Sequence, residues 1–134
     1  MANALYTKYK ESMLSLNPSV DLDTDTIKVA MCTSAYTANM STDQYYSSVS
    51  GVVGTPGTLA SKTITNGIFD AADLTFTAVS GSQVTQLVIY KDTGVAGTSP
   101  LIARIDTATG LPVTPNGGDI TITWDSGANK IFAL

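Results

Sequence analysis

Val84-Thr85-Gln86-Leu87-Val88-Ile89-Tyr90 is apolar at every position but Thr85 and Gln86, the pattern of a central strand with both faces covered. The rest of the fold is read outward from it. Upstream, Ser80-Gly81-Ser82 turns the chain, and Leu74-Thr75-Phe76-Thr77-Ala78 alternates so that Leu74, Phe76 and Ala78 point inward. Asn66-Gly67 suits a type I′ turn because both residues tolerate positive φ, so Leu59 to Thr65 and the Ile68-Phe69 run form a hairpin. Downstream, Asp92-Thr93-Gly94 opens a loop, and Leu101 to Asp106 is a strand with Leu101, Ala103 and Ile105 on one face. Gly110 to Gly118 is a loop broken by Pro and Gly. Ile120, Ile122 and Trp124 alternate with Thr121 and Thr123, and the Asp125-Ser126-Gly127-Ala128 turn leads into a last strand from Lys130 to Leu134. The expected core holds Leu74, Phe76, Leu87, Ile89, Ile105, Ile122 and Trp124.

The first half is less regular. Thr26 to Thr33 reads as a strand with Ile27, Val29 and Met31 on one face. Residues 3–17 read as one short N-terminal helix: Leu5, Tyr9, Met13 and Leu16 form its apolar stripe, Asn3 caps it, and Asn17-Pro18 stops it. Such a helix is marginal alone and must dock. Residues 34–58 read as a long loop excursion with a short helix near Thr42 to Ser47, because Gly51, Gly54, Pro56 and Gly57 break any strand pattern. Seven or eight short strands joined mostly by turns indicate a mainly β chain, an antiparallel β-sandwich. A jelly-roll-like winding is expected, with an immunoglobulin-like one as the alternative.

At 134 residues the chain is sized for one domain, a single β-sandwich over 1–134. Seven scattered basic residues and a net charge of −4 argue against nucleic-acid binding, which needs clustered Lys and Arg. Only 13% of residues are charged, a composition compatible with a surface that partners cover. The N-terminus lacks the basic and long apolar segments of a secretory signal, and no stretch resembles a membrane span. Synthesis in a cytoplasm, without membrane insertion, is the expectation.

The chain has no histidine, which removes Ser–His–Asp and Cys–His catalysis and the commonest zinc ligand. Cys32, the one cysteine, reads as a core thiol. Asp21, Asp23 and Asp25 alternate like calcium ligands, but Thr26 and Cys32 stand where the calcium-loop template wants Gly and Glu. A solvated turn or an isolated ion site remain as readings. Asp70 and Asp73 read as a polar link or, less simply, as paired acid–base carboxylates. The Gly51 to Gly57 stretch lacks the Gly-Lys-Ser/Thr ending of a phosphate loop, and the Asn39-Met40-Ser41 sequon has meaning only for a secreted chain. Trp124 belongs to the alternating core, whereas Tyr36, Tyr45 and Tyr46 lie in the irregular excursion and suit contact with a protein or a sugar.

Lys62-Thr63-Ile64-Thr65-Asn66-Gly67-Ile68-Phe69-Asp70-Ala71-Ala72-Asp73, Val88-Ile89-Tyr90-Lys91-Asp92-Thr93-Gly94 and Leu111-Pro112-Val113-Thr114-Pro115-Asn116-Gly117-Gly118-Asp119-Ile120 resemble small virion proteins of tailed bacteriophages. The opening Met1 to Tyr6 and the run Asp23 to Val29 are similar to the start of the same group. The resemblance covers most of the chain, least of all Ser34 to Leu59. It implies a non-enzymatic virion component, a capsid cement or decoration protein on the capsid surface that binds the major capsid protein. It also implies self-association as a homodimer or homotrimer, with no cofactor. Contacts would then fall on Tyr36, Tyr45 and Tyr46, and on the helix through Tyr6 and Lys10. A tail or head-to-tail connector component and a receptor or glycan-binding module are the rival expectations.

Overall fold

The computed structural model describes residues 3–15, 20–128 and 130–133. In chain order the described elements are β1 (Ala4–Leu5), α1 (Thr7–Leu14), β2 (Ile27–Cys32), β3 (Val52–Thr58), β4 (Thr63–Thr65), β5 (Ile68–Asp70), β6 (Leu74–Phe76), β7 (Gln86–Lys91), β8 (Leu101–Ile105), β9 (Ile120–Ile122) and β10 (Phe132–Ala133). Every strand pairing is antiparallel, in sheets ordered β1-β8-β7-β2-β3, β10-β5-β4 and β6-β9. The described residues are thus mainly β with one short α-helix, as expected; the specific jelly-roll winding does not follow from these pairings.

β7 is the middle strand of the largest sheet, and its first five residues are all buried. Its six-residue ladder with β2 runs from Ile27 opposite Lys91 to Cys32 opposite Gln86. Alternation sets Val29, Met31, Leu87 and Ile89 on one face and Ala30, Cys32, Gln86, Val88 and Tyr90 on the other. All of them are buried, and all but Gln86 belong to one apolar cluster that also contains Phe69, Phe76, Ile120, Ile122 and Trp124 from the smaller sheets and the segment after β9. Of the expected core residues, only Leu74 is merely half-buried. Ala78 does not point inward: it is exposed at φ +49, because the strand ends at Phe76 and the Ala78 amide turns to donate to Asp119.

The N-terminal helix is shorter than its stripe suggested. Ala4 and Leu5 extend along β8, and α1 begins only at Thr7 after an extended Tyr6. Pairing with the open side of β8 gives these residues ladder hydrogen bonds that a frayed helix end lacks. Asn3 does not cap the helix; its side chain accepts from the Asp106 amide (2.7 Å) and donates to Thr107 Oγ1 (2.6 Å). Leu16 and the Asn17-Pro18 stop lie outside the described residues. Within α1, Tyr9 is buried with its ring edge-on to Phe132 at 6.3 Å.

The excursion is also shorter than 34–58, since Val52–Thr58 pairs with β2 as an edge strand. Its Gly and Pro residues mark a bulge: Val29 faces Gly57 and Met31 faces Val53, so Gly54, Thr55 and Pro56 lie across from Ala30 alone, with Gly54 at φ +70. The helix expected near Thr42 to Ser47 is a single 3-10 turn at Tyr46–Ser48.

The Asn66-Gly67 turn is present, at φ +54 and +74, and joins β4 to β5 in three facing pairs. Gly67→Ala forces a Cβ into the left-handed region at a cost of about 1 kcal/mol. The expected thermal midpoint is lower by about 4 °C, and an unchanged midpoint in differential scanning calorimetry would contradict the strained turn.

Candidate functional site

The tyrosine-rich excursion is a lid on the second face of the large sheet. The Tyr6 hydroxyl lies 2.8 Å from that of Tyr36, which donates to Asp43 Oδ2 (2.9 Å), and the Asn39 amide donates to the same carboxylate. Beside this chain, Gln86 Nε2 donates to the carbonyls of Thr33 and Tyr36 (both 2.8 Å), Gln86 Oε1 accepts from Arg104 Nε, and Arg104 also meets Asp106 Oδ2 at 3.2 Å. Tyr6 is 0% exposed and Tyr36 4%, so neither ring is available to a partner, contrary to the contact role expected for them. The physical reason is coverage. Ala30, Val88 and Ile102 need an apolar roof, and the excursion's rings supply it. Burial holds the Tyr6 and Tyr36 phenols well above their ordinary value and pushes the Cys32 thiol up to about 12.

Tyr45 and Tyr46 are half-buried, and Tyr46 stacks on Tyr90 with ring centres 4.1 Å apart and planes 9° from parallel. Lys10 is exposed on α1. These three keep accessible atoms, but Tyr45 and Tyr46 sit against the Ser99–Leu101 segment through backbone bonds, whereas Lys10 belongs to the helix. The expected contact set is therefore divided between an interior network, a loop and a helix.

The acidic turn is held by its own backbone. Asp21 Oδ1 accepts from the amides of Asp23 and Thr24, and Asp25 Oδ2 accepts from the Asp21 amide and pairs with Lys91 at 3.1 Å. The Lys62 ammonium donates to the Asp25 carbonyl. Hydrogen bonds from Thr24 and Asp23 hold the Asp21 carboxyl below its ordinary value. Among the described residues no group of three or more His, Cys, Asp or Glu is arranged to hold a metal ion. Asp73 accepts from the Trp124 amide (3.0 Å), the polar-link role, and the Trp124 indole donates to the Ala72 carbonyl.

Two concavities stand out. One, of about 480 Å³, is polar and lies between β1, β8 and the segment after β9. Its Asn3, Asp125 and Lys130 side chains are engaged with neighbouring chain atoms, and Trp124 beside it is only 6% exposed. The other, of about 400 Å³, is an apolar groove between α1 and the β10-β5-β4 sheet, lined by Tyr9, Met13, Val20, Leu22, Ile64, Phe69 and Phe132. One large apolar side chain of its lining faces solvent, Ile64 at 50%; Leu14 of α1, at 90%, is exposed outside the groove. The buried Tyr9 hydroxyl has no hydrogen-bond partner, and burial raises its ionisation to about 12. Sequence reasoning missed this groove. Its lining joins Tyr9 and Met13 of the helix stripe to Ile64 and Phe69 of the hairpin, and no local pattern links the two.

No protein-family model matches the chain, and a search of curated proteins finds no match. No described helix is long and apolar enough to cross a membrane.

Proposed function

We propose that the protein is a structural protein of a tailed-bacteriophage virion, a cement or decoration protein that binds the major capsid protein on the outer face of the shell. The exposed apolar groove carries this reading: a β block spends both faces of its main sheet on its own core and leaves a groove with half-exposed Ile64, and separately Leu14 of α1, open to water. The likeness of the 62–73, 88–94 and 111–120 segments to small phage virion proteins supplies the setting. Binding the assembled lattice and not the unfolded subunit stabilises the shell by mass action and needs no catalytic group. Lys10, on the same helix as Leu14, and the half-buried Tyr45 and Tyr46 are the expected contact residues. Copies associate with one another as a homodimer or homotrimer and gain avidity on a repeating surface.

Labelled electron microscopy of intact particles tests the location: copies spread over the head are expected, and label confined to the tail would sink the cement reading in favour of a connector. Binding to purified shells tests the surface. Leu14→Asp places a charge on an exposed apolar side chain of the helix that borders the groove and is expected to weaken binding at least about tenfold, the equivalent of about 1.4 kcal/mol. Because Leu14 is solvent-exposed, its thermal midpoint should match the wild type.

A further inference from the structure

We infer that two copies of this chain pair edge to edge through β4, about a two-fold axis that sets Ile64 opposite Ile64. The inference rests on the strand edge and stands apart from whatever the groove meets on a shell. Thr65 and Ile68 flank a two-residue turn and therefore form a hydrogen-bonded pair, so the next pair, Ile64 and Phe69, is not hydrogen-bonded. An independent contact agrees: the Phe69 carbonyl points away from β4 and accepts from the Ile131 amide at 3.1 Å. The N–H and C=O of Ile64 accordingly point outward, along the side of β4 that has no strand beside it among the described residues.

Apart from being only three residues long, this edge lacks the usual protection. The β3 edge of the large sheet carries a bulge and Pro56, and the β1 and β10 edges are two residues long. β4 is Thr63-Ile64-Thr65, exposed at all three positions and uncharged. The nearest cation, Lys62, is drawn away to the Asp25 carbonyl. A second copy is the occupant that fits, because antiparallel pairing about Ile64 is self-complementary and isologous. Each Ile64 gives and accepts one backbone bond. Both Ile64 side chains then lie on the face that carries Phe69, so the two apolar grooves join side by side into one surface. The contact belongs to the small class of interfaces, and micromolar dissociation is expected in solution.

Sedimentation analysis from low-micromolar to near-millimolar concentration should show a monomer–dimer equilibrium. Ile64→Lys and Ile64→Pro should abolish it, while the thermal midpoint of Ile64→Lys stays at the wild-type value, because Ile64 contributes no bond to the β4–β5 ladder. Ile64→Cys should give a covalent dimer on mild oxidation. Facing Cα atoms in a hydrogen-bonded pair are about 5.5 Å apart, within reach of a disulfide, and the natural Cys32 is buried. A wild-type monomer at all concentrations, a dimer that survives Ile64→Lys, or an Ile64→Cys dimer that does not cross-link each overturns the pairing. A monomer that still coats shells overturns it and leaves the cement reading intact; a dimer that ignores shells does the reverse.

Discussion

Gln86→Ala is expected to cost about 1–3 kcal/mol of stability for each buried polar group it leaves without its partner. Gln86 is 1% exposed and serves three partners: two carbonyls of the excursion, at Thr33 and Tyr36, and the Arg104 guanidinium. Truncation leaves those carbonyls without this donor and takes a neutral acceptor from a cation that is itself only 7% exposed. A domain of this size holds about 5–15 kcal/mol in all, so the variant should melt early or populate an open excursion. Urea denaturation gives the number, and a loss under about 1 kcal/mol would show that the network does not hold the lid.

Alkaline pH is expected to unfold the protein cooperatively. Burial holds the phenols of Tyr6, Tyr36 and Tyr90 well above their ordinary value of 10.0, raises Tyr46, and moves Tyr9 and the Cys32 thiol to about 12. In the unfolded chain the thiol ionises near 9 and the phenols near 10, so above these values the unfolded state binds fewer protons than the folded one. Stability must then fall as pH rises. The contribution is complete below pH 9 and is lost on the way up through the folded values. Tyr6 and Cys32 alone steepen the fall by about 1.4 kcal/mol each per pH unit once their unfolded forms ionise, and the other tyrosines act in the same direction. Tyrosinate absorbance and circular dichroism followed together should show one shared transition above pH 10. Phenols titrating independently at 10, with the circular dichroism unchanged, would contradict the buried network.

The elements legible in the sequence were those written in neighbouring residues. β7 announced itself by being apolar on both faces, the Asn66-Gly67 turn by its tolerance of positive φ, and β9 with Trp124 by strict alternation. What stayed hidden depended on distant partners. Ala4 and Leu5 look helical until β8 is there to pair with them, and Gly54 and Pro56 look like breakers until β2 shows that they form a bulge. The tyrosines of the excursion looked like contacts because aromatic residues in a loop suggest a surface. The missing step was to ask what would roof the second face of a strand as apolar as β7, and outside the strands these rings were the large side chains to hand. The groove was illegible for a related reason: Tyr9, Val20, Ile64 and Phe132 come from four places along the chain and share only their position in space.

The bulged, proline-bearing β3 strand has a consequence for stoichiometry. A sheet protein with two open edges can add copies without limit and grow into a fibre, whereas one with a single usable edge stops at a closed pair. By making the long edge of its main sheet unfit for pairing, the bulge closes one route by which copies would add strand to strand into a fibre.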